Sequence, residues 1–172
     1  MPDKPNTLDR FSLENLYMEL ERPLFNMVFR YLWNREEAQD LVQEAFVRLW
    51  KMKDKVEIKT VKPLIYKICI NLAVTKNRRK KILSFFSLDK IAQERGEKHN
   101  DSLEQKEEIQ LLRKVIDELP AKLKQTVLLT EFSEMSYEEV GKILGIPSGT
   151  VGSRRNKAIG ILKEKLNMIY GL

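Results

Sequence analysis

The sequence predicts an all-α protein: two small helical domains joined by a flexible linker, the C-terminal one containing a helix-turn-helix. Three observations carry that expectation. Apolar residues recur three and four apart almost throughout, the period of a helix face rather than of a strand. Seven glycines and six prolines in 172 residues leave room only for short turns. Between Ile82 and Leu103 the periodicity fades into SFFSLDKIAQERGEKHNDS, a polar stretch with a glycine and the single histidine, as a linker would have. The expected units are therefore residues 1–81, a linker over 82–103, and residues 104–172.

Each element has its own signal. A first helix spans about Leu13 to Trp33, with Pro23 either kinking it or opening a second helix. Asn34 followed by Glu37 has capping-box spacing and starts a helix through Trp50, whose core stripe is Ala38, Leu41, Val42, Ala45, Phe46 and Leu49. A lysine-rich loop, Met52 to Lys62, precedes a helix that Pro63 opens and that runs to about Lys81. Ile65, Ile68, Cys69 and Leu72 form its buried stripe, which assigns Cys69 to packing.

In the second half Ile109, Leu112, Val115, Ile116 and Leu119 line one helix face. Pro120 interrupts, and Leu123, Val127 and Leu128 follow on the next helix. Ser136 and Glu139 make a second capping box for a short helix, Tyr137 to Leu144. Gly145-Ile146-Pro147 then turns the chain into a long helix from Ser148 to about Met168, the helix-turn-helix outline.

Composition excludes several functional classes. A lone cysteine cannot form an internal disulfide and a lone histidine, His99, cannot anchor a zinc cluster, so no metal and no cofactor is expected. There is no Gly-rich phosphate loop, no nucleophile paired with a base, and no carboxylate cluster with histidine, which argues against an enzyme. No apolar run approaches the roughly 20 residues of a membrane span, and MPDKPNTLDRFS lacks a basic segment followed by an apolar one. The expectation is a cytoplasmic protein without membrane insertion.

Charge narrows the field further. The formal net charge is +6, but the segment from Lys51 to Lys81 holds eleven cations against Asp54 and Glu57, or +9, so the remainder sums to −3. Excess positive charge confined to one stretch makes a local anion-binding surface. Within it Lys67, Asn71, Val74 and Arg78 follow one another along a helix face, leading into Arg79, while Lys53, Lys55 and Lys59 stand in the adjoining loop. Such a surface suits the backbone of a separated strand with a base inserted in the loop. Helix-terminal cations also suit the macrodipole, a structural explanation for Arg79 to Lys81.

The last helix carries a second candidate surface. Val151, Ala158, Leu162 and Ile169 lie on its core side, while Gly149, Gly152, Ser153, Asn156, Gly160 and Lys163 face outward. Each interior glycine costs about 1 kcal/mol relative to alanine, so three facing outward point to close approach by a partner. In a DNA major groove Ser148, Gly149 and Gly152 would permit that approach, Ser153 and Asn156 would donate and accept, and Arg154, Arg155 and Lys157 would flank as phosphate clamps. A third face, Asp40, Gln43, Glu44 and Val47, would repel DNA and so meets solvent or a basic protein surface. Glu44 and Arg48 have the spacing of an ordinary i,i+4 pair.

Four stretches in order resemble bacterial sigma factors of the extracytoplasmic-function group, from about Leu16 to Leu166. DLVQEAFVRLW looks like that family's polymerase-binding helix and KPLIYKICINLAVTKNRRKK like its minus 10 helix. SLDK sits where its linker begins, and LPAKLKQTVLLTEFSEMSYEEVGKILGIPSGTVGSR is similar to its C-terminal domain. The resemblance implies that Asp40, Gln43, Glu44 and Val47 meet the RNA polymerase beta-prime subunit, with a beta-subunit element bound by the second domain. It implies that the loop lysines with Lys67, Asn71, Thr75, Arg78 and Arg79 capture flipped minus 10 bases, that the last helix reads the minus 35 duplex, and that an anti-sigma factor is a further partner. The chain departs from the family pattern at Gly152, usually lysine or arginine, at Arg155, usually leucine or isoleucine, and at Thr75, frequently aspartate. The alternative is an autonomous helix-turn-helix repressor or activator, which would dimerise to read paired half-sites and would not need the Asp40 face.

Overall fold

The computed structural model describes residues 8–86, 103–133 and 135–171. Among these the chain forms α1 (Arg10–Leu32), α2 (Arg35–Lys51), a 3-10 turn (Lys53–Lys55), α3 (Ile58–Phe86), α4 (Leu103–Asp117), α5 (Ala121–Phe132), α6 (Tyr137–Leu144) and α7 (Ser148–Tyr170). Most of the linker expected over 82–103, including SLDK and His99, lies outside the described residues.

Helix α1 starts three residues earlier than the apolar pattern suggests because Asp9 caps it: its carboxylate accepts from the Ser12 backbone N–H at 2.7 Å. The Ser12 hydrogen bonds also hold the Asp9 carboxyl below its usual range. Pro23 lies inside one continuous helix and opens no second one. Trp33 ends it in the left-handed region at φ 54°. Asn34 caps α2 by accepting from Glu37 N–H, but the box stays half-made, since the Glu37 carboxylate pairs with Lys76 and Lys80 of α3 instead.

All six expected core residues of α2 are buried. On α3 the buried arc is broader than the expected stripe and rotated from it: Val61, Ile65, Tyr66, Cys69, Ile70 and Ala73 are buried, while Ile68 and Leu72 are half-buried. Contact with both α1 and α2 widens the arc beyond what one neighbour would cover. Burial pushes the Cys69 thiol far above its ordinary pKa, which keeps it protonated and unreactive. Tyr17 meets the Phe46 ring edge-on at 4.8 Å, joining α1 to α2.

Both ends of α3 differ from expectation. Five residues of the predicted lysine loop are already helical, because Thr60 turns its N–H and hydroxyl onto the Glu57 carbonyl and Val61 is buried, so Pro63 falls within the second turn. At the other end the helix continues to Phe86, which leaves Arg78 to Lys81 in the helix interior. The macrodipole therefore does not account for that cationic run.

In the C-terminal half Ser136 and Glu139 complete a capping box, and Gly145 at φ 68° ends α6 in the left-handed region that favours glycine. Gly141 permits the tight turn behind it: an added Cβ would lie 2.6 Å from the Ile146 carbonyl oxygen. Val151 and Ala158 of α7 are fully buried, Leu162 is partly so, and Ile169 is exposed rather than in the core. Ile109 and Leu112 of α4 are likewise exposed, while Val115, Ile116 and Leu119 are buried. The apolar stripe of α4 thus outruns the surface available to cover it.

The two halves pack against each other. Helix α1 packs on α5, α3 packs on α6, and one continuous buried cluster runs through both halves. At the seam the ammonium of Lys124 donates to the Tyr31 carbonyl at 3.1 Å and to Asp117 at 2.6 Å, and lies 4.4 Å from the centre of the Tyr31 ring. The Arg30 guanidinium lies 4.1 Å from the centre of the Phe132 ring beside it. Two cores of about seventy residues each are marginal alone, and sharing surface adds burial to both.

Candidate nucleic-acid interface

Helix α7 projects from the turn after α6 so that Ser148, Gly149, Gly152, Ser153 and Asn156 line a shallow cleft with Tyr137. Gly149, Ser153 and Asn156 are exposed, and Ser148 and Gly152 are half-buried. The Ser153 hydroxyl donates to the Thr150 carbonyl at 3.1 Å, which leaves its oxygen able to accept. Arg154 is half-buried and Lys157 exposed on the flanks.

Arg155 differs from the other expected clamps. It reaches back to α5, where its Nε donates to the Glu131 carboxylate at 2.5 Å, and that carboxylate raises its pKa. Its charge is matched within the fold before any partner arrives.

Two of the three outward glycines are not required by internal packing. A Cβ on Gly149 or Gly160 would meet nothing within 4 Å, whereas one on Gly152 would stand 3.2 Å from Tyr137 Cε2. Gly160→Ala is therefore expected to stabilise the protein by about 0.5–1 kcal/mol, measured as a higher urea midpoint at unchanged slope.

On α3, Lys67, Asn71, Arg78 and Arg79 are exposed, with Val74 and Thr75 half-buried between them. Arg78 and Arg79 make no ion pair among the described residues, whereas Lys76 and Lys80, on a different side, share the Glu37 carboxylate. Lys55 and Lys59 are exposed; Lys53 is folded over the Trp50 ring at 4.2 Å. A cationic face with an amide at its centre remains open along four turns of helix.

The third face is intact on α2. Asp40, Gln43, Glu44 and Val47 are all exposed, and Arg48 donates to Glu44 at 2.6 Å, the expected i,i+4 pair. A surface pair of this kind adds little stability. Beside this face a mostly apolar groove runs between α1 and α2, lined by Leu13, Glu14, Tyr17, Met18 and Phe46. Among the described residues no helix is long and apolar enough to cross a membrane.

Sequence reading missed three residues, one at the seam between the halves and two beside the α7 surface. Lys124 is buried, although lysine spacing on α5 looks like that of a solvated helix. Glu131 and Tyr137 shape the α7 surface from neighbouring helices, and no local spacing marks them.

Two family descriptions match the chain: "Sigma-70 region 2" over residues 16–82 and "Sigma-70, region 4" over residues 109–160, together more than half of it. The chain is similar to the ECF RNA polymerase sigma factor SigW of Bacillus subtilis (strain 168), with 28% identity over 154 residues, covering 83% of this chain and 82% of that protein. The solved structure of CnrH in complex with the cytosolic domain of CnrY aligns with a TM-score of 0.70 at 17% identity over 93% of this chain and 90% of that one. The sigma factor RpoE in complex with the anti-sigma factor NepR, from Bartonella quintana, aligns with a TM-score of 0.66 at 23% identity over 90% and 98%. At those identities the two structures speak to the fold, an all-α pair of helical units ending in a helix-turn-helix. With the matched regions in their order along the chain, the protein belongs to the extracytoplasmic-function group of bacterial RNA polymerase sigma factors.

Proposed function

We propose that this sigma factor divides its work among the three faces described above. The acidic and amide face of α2, Asp40, Gln43, Glu44 and Val47, docks on a basic surface of the polymerase beta-prime subunit. The open face of α3, with Lys67, Asn71, Thr75, Arg78 and Arg79 and the nearby Lys53, Lys55 and Lys59, holds the separated minus 10 strand. The α7 surface reads the minus 35 duplex. Catalysis belongs to the polymerase, and this chain supplies recognition and assists opening. An anti-sigma factor, the kind of partner named in the NepR complex, would act by covering these faces.

The observation that carries the reading is the segregation of charge: a cationic face on α3 whose Arg78 and Arg79 make no ion pair among the described residues, and an exposed acidic face on α2. A protein binding DNA alone has no use for the second. The test is reconstitution with core polymerase. Stoichiometric co-elution and promoter-specific run-off transcription are expected, whereas operator binding by the chain alone, with no affinity for core, would establish the autonomous repressor or activator instead. In the same assay Arg78→Ala with Arg79→Ala is expected to weaken the promoter complex and to flatten its log–log salt dependence by roughly 1.4–1.8.

A further inference from the structure

Arg155 and Gly152 are the two departures of α7 from the family pattern, and the structure joins them through Tyr137. Arg155 is bound to Glu131 of α5 at 2.5 Å and also interacts with the Tyr137 hydroxyl. The Tyr137 ring lies across Gly152, so close that a Cβ there would be 3.2 Å from Cε2 and 3.5 Å from Cδ2. The ring occupies the surface a side chain at 152 would otherwise cover. Its backbone is fixed too, because Tyr137 is the first residue of α6, directly after the Ser136 cap and inside the box that Ser136 makes with Glu139.

We propose that Arg155 is a positioning residue rather than a DNA contact: with Glu131 it holds Tyr137 across Gly152, and Tyr137 is a specificity-determining side chain of the upstream promoter interface. This rests on the reading of α7 as the minus 35 surface.

The chemistry of the cleft says what the ring would read. Glu138 stands on its rim, which disfavours phosphate there. Beside the ring the floor is open backbone at Gly149, where an added Cβ would meet nothing within 4 Å, so a base edge can approach closely. An aromatic edge above such a floor is apolar, and the apolar group that major-groove edges offer is the C5-methyl of thymine. Ser153 and Asn156 lie alongside for the polar atoms of neighbouring bases. Tyr137 therefore selects thymine at one position by packing on its methyl, in place of the longer cationic reader usual at 152.

The experiment uses holoenzyme reconstituted from the full chain and core polymerase, with promoters whose minus 35 element is randomised. The wild type is expected to prefer thymine at one position and to lose about 3–5-fold on replacing that thymine by deoxyuridine, which lacks only the methyl. Tyr137→Ala removes the preference and the deoxyuridine effect, and Tyr137→Phe, which keeps the ring but loses the hydroxyl that Arg155 meets, weakens both no further than Arg155→Leu does. Arg155→Leu and Glu131→Gln blur the same position, the exchange Glu131→Arg with Arg155→Glu restores it, and Arg155→Leu leaves the salt slope unchanged because its charge was already matched.

A preference that survives Tyr137→Ala overturns the inference. So does a uniform loss with Tyr137→Phe, which would make the hydroxyl a phosphate contact, or a fall of about one in the salt slope with Arg155→Leu. A wild-type holoenzyme with no preference anywhere in the upstream element would instead overturn the assignment of α7. Thermal unfolding of each variant separates misfolding from altered reading.

Discussion

Asp40→Lys combined with Glu44→Lys is expected to weaken binding of core polymerase on the order of 100-fold while leaving helix content and the unfolding midpoint almost unchanged. The two carboxylates are exposed on α2, one turn apart, on the side opposite a stripe of six buried apolar residues. Reversing them turns an attraction for a basic surface into a repulsion, and like charges forced together across an interface cost several kcal/mol. The fold loses little in exchange. Glu44 is paired only with Arg48, both half-exposed, and such a pair contributes under about 1 kcal/mol. Binding is measured by fluorescence titration of labelled protein with core, and stability by urea unfolding. If affinity holds, the α2 face is solvent surface and the docking site lies elsewhere, with the apolar groove of Leu13, Tyr17, Met18 and Phe46 as the next place to mutate. If both affinity and stability fall together, the variant reports folding and Gln43→Lys serves as the milder probe.

The parts of the structure that sequence made legible are those governed by local rules. Caps at Asn34 and Ser136, the αL glycine at 145, and the period of α2 all depend on residues within one or two turns of each other. The α3 stripe is broader than its own period implies, and Ile109, Leu112 and Ile169 continue apolar patterns into positions that stay exposed, because burial depends on which helices arrive from elsewhere. The charged faces were found for a different reason: a residue type that repels water-poor surroundings must stay outside, so Asp40, Glu44, Arg78 and Lys157 could be assigned to surface without knowing the packing. Arg155 obeyed the same rule yet misled, since Glu131, twenty-four residues away, matches its charge. Lys124 broke the rule outright. A lysine is buried only where several acceptors converge, and here they come from two halves of the chain.

Lys124→Ala is expected to cost about 2–4 kcal/mol and to separate a single unfolding transition into two. The Tyr31 carbonyl that Lys124 caps belongs to the last turn of α1, where no intrahelical partner exists, so the ammonium serves as that helix's terminal donor from the other half of the molecule. Truncation strands the carbonyl, opens a void over the Tyr31 ring and leaves Asp117 without its 2.6 Å partner. The burial that makes this cap effective also works against the charge. Desolvation lowers the Lys124 pKa from its ordinary 10.5 despite the pull of Asp117 in the other direction. The unfolded chain then holds that proton more tightly than the folded one, so the contribution of Lys124 to stability rises as pH climbs from its lowered folded value toward 10.5 and is flat below. Comparing wild type with Lys124→Met at pH 7 and near pH 10 isolates the effect, because groups common to both proteins cancel. The wild type should gain relative to the variant at the higher pH. A gap that shrinks instead would mean that Asp117 outweighs burial, and that the seam between the halves is held by an ion pair rather than by a capped helix end.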